Sequence, residues 1–176
     1  MSKRKIIVWT VLAPFVAIQF IRPNRNNDGK VPGLVFVNLY AVPDRLDQIL
    51  REACYDCHSN NTRYPWYTNF QPIGWILAGH IKKGKSNINF SEFNSYSSRR
   101  QISKLKAISD QVEDNKMPLK SYKLFHKKAR LSAQEKKLII TWMRNKADSI
   151  LVNEGVETNI DKGFQDHTSL KKSFCK

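Results

Sequence analysis

The sequence lacks internal repeats and has no alternating pattern long enough to imply a sheet, which favours a mostly helical fold. Acidic residues are scarce: 15 Asp and Glu stand against 30 Lys and Arg, so the formal net charge is +15. No zinc-finger, helix-turn-helix or RNA-binding motif accompanies this charge, and we therefore expect no nucleic-acid partner. A basic surface would instead suit an acidic protein partner, anionic lipid head groups or simple solubility.

The N-terminal segment has no charged residue between Ile6 and Ile21, and basic residues precede and follow this run. A basic start followed by an apolar stretch is typical of an export signal. No small-x-small cleavage pattern ends the run, so residues 1–22 are predicted to be an uncleaved signal anchor, a transmembrane helix. The positive-inside rule would then hold the chain in the bacterial inner membrane, with the remainder in the periplasm.

Composition divides the rest of the chain into three parts. Residues 23–43 are rich in Asn, Gly and Pro and are predicted to be a linker. Residues 44–152 form the predicted helical domain, and residues 153–176, which are polar and without periodicity, are predicted to be a disordered tail that contains Cys175. Within the domain, helices are expected over residues 44–54, 73–83 and 98–115, and from a capping box at Ser132 and Glu135 onward.

The remaining two cysteines form a Cys54-Tyr-Asp-Cys57-His58 motif at the end of the first domain helix. On one helical turn, cysteines three residues apart project to the same side, and each can form a thioether with one haem vinyl group. His58 would then reach the haem iron. A zinc site would need two more ligands, and a disulfide or redox pair would leave His58 unexplained, so covalent haem is the favoured interpretation.

The second axial ligand of the iron has more than one candidate. Met117 precedes Pro118 between two predicted helices, and the proline biases it away from helical conformation, in a loop where a thioether can face the iron. His80, on the second domain helix, would give bis-histidine ligation, and an open iron is a third alternative. Methionine ligation favours a high reduction potential suited to electron transfer.

Several short motifs resemble the bacterial haem-binding domain family, which is related to class I cytochromes c. They are Cys54-x-x-Cys57-His58-Ser59-Asn60, Thr62-Arg63-Tyr64-Pro65-Trp66-Tyr67, His80-Ile81-x-x-Gly84, Asn89-Phe90-Ser91-Glu92, Met117-Pro118-Leu119-x-x-Tyr122, His126-x-x-Ala129-x-Leu131-Ser132 and Trp142. The resemblance implies a mostly α fold, a small cytochrome c-like helical domain behind the N-terminal transmembrane helix, with one covalent haem c and its iron. By this resemblance, Cys54, Cys57 and His58 are expected to hold the haem, and Met117 is expected to be the distal ligand.

Further haem contacts are expected around this motif. A haem-ligating histidine usually donates its other ring N–H to a carbonyl, and the sequence suggests the carbonyl of Pro72. The side chains expected at the propionates or the haem edge are those of Arg63, Trp66, Tyr67 and Trp75. The predicted function is a membrane-anchored periplasmic monohaem cytochrome that passes electrons to a redox partner, for which an acidic protein would be suitable. The alternative is a haem-based ligand sensor or peroxidase-like protein with a labile distal ligand.

Overall fold

A computed structural model describes the backbone of residues 2–173 and the side chains of residues 2–155. The chain is mostly helical, as predicted. The α-helices are α1 (Lys3–Ile18), α2 (Leu34–Tyr40), α3 (Asp44–Ala53), α4 (Tyr55–His58), α5 (Ile73–Asn87), α6 (Ser98–Glu113), α7 (Lys120–Phe125) and α8 (Ala133–Ser173). Short 3₁₀ helices cover Trp66–Asn69, Phe90–Ser95 and Lys127–Ala129. The chain divides into two compact units, Met1–Asn94 and Ser95–Lys176.

Helix α1 is shorter than the membrane-spanning helix predicted from the sequence. It has 16 residues, and its first three are basic. At about 1.5 Å per residue it is about 24 Å long, whereas the hydrocarbon core of a bilayer is about 30 Å thick. Among the described residues, no helix combines the length and the apolar character needed to cross a membrane. The predicted N-terminal transmembrane helix, and the inner-membrane localisation that depended on it, are therefore wrong.

Aromatic side chains form the core of the first unit. The ring of Phe36 lies edge-on to those of Phe90 and Phe93, each with a centroid distance of 4.9 Å, and Tyr55 meets Phe90 at 5.2 Å. Such pairs contribute about 0.5–1.5 kcal/mol each beyond the burial of their apolar area. Helix α3 is amphipathic and adds Leu46 and Leu50, both fully buried, to this core. The aromatic cluster thus packs directly beneath the helix that ends at the cysteine motif.

Residues 23–43, predicted to be a linker, take part in this packing. Helix α2 supplies Phe36, which is fully buried. Gly33 precedes α2 with a φ of +73°, and a Cβ there would lie 2.2 Å from the Tyr55 ring. Only glycine accommodates both the backbone conformation and the close approach.

The second unit is built on the packing of α6 against α8. Leu105 of α6 is fully buried, as are Ile139 and Met143 of α8. The predicted capping box is confirmed, because the Ser132 hydroxyl accepts a hydrogen bond from the Glu135 N–H at 3.2 Å and the Glu135 carboxylate accepts one from the Ser132 N–H at 3.0 Å. The backbone of α8 continues to Ser173, through most of the predicted tail. Cys175 lies outside the described residues.

Candidate functional site

The Cys54–His58 motif lies at a sharp bend between two helices. Cys54 ends α3 with φ −127° and ψ −45°, and α4 begins at the next residue. The carbonyl oxygen of Cys54 accepts hydrogen bonds from the backbone N–H groups of Cys57, at 3.2 Å, and His58, at 3.0 Å. The bend therefore gathers the two cysteines and the histidine within one turn, and both cysteines are free thiols at half-buried positions.

Burial keeps both thiols protonated at neutral pH. It raises the pKa of Cys54 to about 12, with a smaller contribution from the neighbouring Cys57, and the pKa of Cys57 to about 11. Reactive redox cysteines require the opposite shift, a lowered pKa. In the part of the chain that the structure describes, no three His, Cys, Asp or Glu side chains gather as a metal-binding group. The zinc and redox-pair interpretations therefore have no support in the geometry.

His58 is held with one ring nitrogen committed to the protein. Its Nδ1 lies 3.2 Å from the carbonyl oxygen of Ile88, which can only accept a hydrogen bond, so Nδ1 carries the proton. Burial lowers the pKa of His58, although the carbonyls of Ile88 and Gly84 partly oppose this effect. The imidazole is therefore neutral at neutral pH, and the lone pair of Nε2 remains available to a metal.

The carbonyl that orients His58 differs from the predicted one. The sequence suggested Pro72, but this residue precedes α5, and its carbonyl oxygen accepts a hydrogen bond from the Ile76 N–H at 3.1 Å. The prediction that Pro72 orients His58 is wrong, because the Nδ1 of His58 lies 3.2 Å from the carbonyl of Ile88. Pro72 and Ile88 lie at opposite ends of α5. A direct contact of Pro72 with haem stays a prediction.

Gly84 allows α5 to approach the motif closely. A Cβ at this position would lie 2.5 Å from the carbonyl oxygen of Cys57 and 3.3 Å from its Cβ. The sequence predicted that Gly84 would end the helix, whereas α5 continues to Asn87. The glycine is thus a contact point between α5 and α4, and the extra turn beyond it brings the Ile88 carbonyl to His58.

A buried carboxylate inside the motif is paired with Arg63. Asp56 is 5% exposed, and its Oδ1 accepts hydrogen bonds from both the backbone N–H and the Nε–H of Arg63, each at 3.2 Å. The same guanidinium donates to the carbonyl of Arg51 at 2.7 Å. Arg63 therefore ties the loop after the motif to α3 and α4, and its predicted role at a haem propionate stays untested.

The loop after His58 is bonded to the segment that follows α5. The backbone N–H of Asn60 donates to the Ser91 hydroxyl at 3.0 Å, and its side-chain amide donates to the Glu92 carboxylate at 2.9 Å. Asn89, in turn, donates to the Asn60 side-chain oxygen at 2.9 Å. Two of the motifs that carry the family resemblance are thus brought together by direct hydrogen bonds.

The other predicted haem residues lie at several places. Trp66 is 74% exposed and Trp75 37% exposed, and the Trp75 indole donates to the carbonyl of Ile21 at 2.8 Å. Burial and the nearby Asp56 charge raise the pKa of Tyr67. His80 is half-buried on α5, one turn before Gly84. Their contacts with haem stay predictions.

Met117 lies in the second unit, between α6 and α7. It is half-buried and lines a cleft of about 400 Å³. The other residues at this cleft are Asn115, Pro118, Lys120, Lys123, Leu124, Arg130, Leu131 and Lys136. The loop position of Met117 is as predicted, because α6 ends at Glu113 and α7 begins at Lys120. Its ligation of iron stays a prediction.

Two residues next to the motif, Ile88 and Asn26, were not predicted from the sequence. Asn26 donates to the carbonyl of Ser59 at 2.8 Å and to the Thr62 hydroxyl at 3.0 Å, which ties the N-terminal segment to the loop after the motif. A backbone carbonyl such as that of Ile88 leaves no signal in a single sequence. Asn26 could have been noticed only as one of several asparagines in a turn-rich stretch.

Comparison with known proteins identifies the family. The family model described as "Haem-binding domain" matches residues 13–145, which include the whole motif, His80 and Met117. No curated protein and no solved structure matches the chain. The match covers more than half of the 176 residues. The chain therefore belongs to the haem-binding domain family and is a haem-binding protein.

Proposed function

We propose that the chain is a monohaem c-type cytochrome that transfers electrons. The observation that carries the proposal is the hydrogen bond between His58 Nδ1 and the Ile88 carbonyl, at 3.2 Å. It selects the neutral tautomer in which Nε2 has a free lone pair, the state that a proximal haem ligand needs. Bound haem would supply a one-electron iron couple, and His58 would hold the iron from one side.

The two thiols account for covalent attachment. Cys54 and Cys57 would each add across a haem vinyl group, so that a C–S bond forms and the thiol proton passes to the neighbouring vinyl carbon. This addition needs no oxidant. The bend after α3 supports it, because it gathers both cysteines and His58 within one turn. Among the described residues, neither thiol has a disulfide or hydrogen-bond partner that would explain the Cys-x-x-Cys spacing in another way.

The distal ligand and the partner are parts of the same proposal. Met117 remains the proposed distal ligand, supported by its place in a loop at the wall of a cleft, with His80 as the alternative. The cleft also contains Lys120, Lys123, Arg130 and Lys136 and no acidic residue among its lining side chains. Together with the net charge of +15, this supports a redox partner with an acidic surface.

The attachment is tested by making the protein in a host that attaches haem c. We expect haem staining of the wild-type band on a denaturing gel, and a pyridine haemochrome spectrum of a two-thioether haem. Cys54→Ala and Cys57→Ala should each leave one thioether, and the double variant none. Cys175→Ala, which removes the cysteine outside the motif, is the matched control and should stain fully. Haem that resists denaturation in the double variant would contradict the proposal.

A further inference from the structure

A second cationic cleft lies in the first unit, away from the cysteine motif. We call it the Lys85 cleft; its volume is about 340 Å³, and it is lined by Asn24, Arg25, Asn26, Tyr64, Ala78, Ile81, Lys82 and Lys85. It thus combines three cationic side chains, amide and phenol groups and the two apolar side chains of Ala78 and Ile81. None of the lining residues is acidic.

Two of the three cations of the Lys85 cleft are held by neutral groups. Lys85 Nζ donates to the side-chain oxygen of Asn26 at 2.7 Å. Arg25 donates to the side-chain oxygen of Asn69 at 2.8 Å, and its guanidinium lies over the Tyr64 ring, 5.0 Å from the centroid. Within the described residues, no carboxylate forms an ion pair with Arg25, Lys82 or Lys85. Three positive charges therefore converge without a counter-charge from the protein.

The Lys85 cleft and the cysteine motif meet different sides of helix α5. Gly84, which touches Cys57, and Lys82 are two residues apart, so they point about 160° apart around the helix axis. One side of α5 therefore serves the cysteine motif, and another side serves the Lys85 cleft.

Asn26 connects the Lys85 cleft to the motif. Its side-chain oxygen faces Lys85, while its side-chain N–H groups donate to the carbonyl of Ser59 at 2.8 Å and to the Thr62 hydroxyl at 3.0 Å. Ser59 directly follows His58. A ligand that draws Lys85 away from Asn26 would therefore change the hydrogen bonding of the loop next to the histidine.

We propose that the Lys85 cleft binds a small anion that carries a phosphate or carboxylate group, and that Asn26 links its occupancy to the loop after His58. Lys82, Lys85 and Arg25 supply the charge-assisted hydrogen bonds that such groups prefer. The Tyr64 hydroxyl accepts a hydrogen bond from the Asn26 N–H at 2.7 Å, which leaves its own proton free for the anion. The side chains of Ala78 and Ile81 offer an apolar wall to the body of an organic anion.

The test is a titration of the purified full-length protein with inorganic phosphate and, separately, with citrate. Ionic strength is held constant with chloride, because general attraction to the basic surface would otherwise contribute. Calorimetry should show saturable binding at one site. In NMR spectra, the side-chain amide of Asn26 and the backbone amide of Ser59 should shift with the same midpoint.

Variants locate the site. Lys82→Gln/Lys85→Gln removes two of the charge-assisted hydrogen bonds and should weaken binding by more than tenfold, since the loss of one such bond corresponds to about tenfold or more. Lys83→Gln/Lys137→Gln is the charge-matched control, since neither lysine lines the cleft. Lys83 is also on the same helix as Lys82 and Lys85. Lys82→Gln alone replaces an exposed side chain, so the protein should still fold. Its affinity for the anion should fall by less than that of the double variant.

Three results would overturn the proposal. The first is a linear response to both anions without saturation, and the second is an equal loss of affinity in the control variant. The third is binding of a hexaglutamate peptide through Lys82 and Lys85 while neither phosphate nor citrate binds, which would make the cleft a contact for an acidic protein. None of these outcomes depends on haem attachment, so a failure of the proposed cytochrome function remains distinguishable.

Discussion

Replacement of Gly84 by alanine should destabilise the protein and disturb His58. The new Cβ would lie 2.5 Å from the Cys57 carbonyl oxygen, whereas ordinary contacts begin near 3.4 Å, so α5 must move by about 0.9 Å. Overpacking of this kind costs about 1–3 kcal/mol. The same movement would stretch the 3.2 Å contact between His58 Nδ1 and the Ile88 carbonyl beyond hydrogen-bond length, at a further cost of about 1 kcal/mol.

Gly79→Ala is the matched control on the same helix. A Cβ at Gly79 meets nothing within 4 Å, so this variant should only gain the better helix propensity of alanine, about 1 kcal/mol. Because Gly84→Ala gains the same propensity, the two variants should differ in free energy of unfolding by about 2–4 kcal/mol. In urea this corresponds to midpoints separated by roughly 1–2 M for a slope of about 2 kcal/mol/M, the middle of the range for small proteins.

The reduction potential of the haem supplies a second measurement, which a destabilisation elsewhere in the protein would not change. Loss of the Nδ1–H···O bond makes His58 a weaker donor to iron, so the reduction potential of Gly84→Ala should rise, while that of Gly79→Ala should stay at the wild-type value. Equal urea midpoints for the two variants, or an unchanged potential in a destabilised Gly84→Ala, would refute the reasoning.

The remaining predictions concern the distal ligand and the buried carboxylate. Met117→Ala should open the iron to carbon monoxide, lower the reduction potential and change the absorption spectrum, whereas His80→Ala should leave the spectrum unchanged. The reverse pattern would make His80 the ligand. Rapid carbon monoxide binding by the wild type would favour a sensor or peroxidase. Arg63→Met should lower the free energy of unfolding by about 1–3 kcal/mol, because it leaves the buried Asp56 without its charged partner. Asp56→Asn in the same background should recover part of this loss in a urea titration, and no recovery would show that the charge on Asp56 is not the cause.

Periodicity and local chemistry predicted much of the helical framework. The stripe of apolar residues in α3, the capping box at the start of α8 and the loop around Met117 were each read correctly because each depends on residues within a few positions of one another. The end of α5 was predicted wrongly, because the low helix propensity of glycine alone makes Gly84 look like the end of a helix. Its actual role, a close contact with Cys57, becomes visible only when the two helices are packed.

The N-terminal prediction failed for a related reason. A run without charge between Ile6 and Ile21 is compatible with a spanning helix if the whole run is helical. The helix ends at Ile18, and the next side chain, Gln19, exchanges hydrogen bonds with the backbone of Gln71, accepting from its N–H at 2.8 Å and donating to its carbonyl at 3.2 Å. The residue that follows the helix is therefore bonded to a partner 52 positions away, which no local pattern in the apolar run could predict.

The sequence by itself determined that two thiols and an imidazole lie close together, because five consecutive residues, Cys54 to His58, are held within one turn of backbone. It also determined the family, through short motifs between Cys54 and Trp142 that lie inside the 13–145 match of the family model. Only the tertiary structure decided how His58 is oriented. Its partner carbonyl at Ile88 is 30 residues away, every residue has such a carbonyl, and the packing of α5 against α4 at Gly84 selects which one the ring can reach.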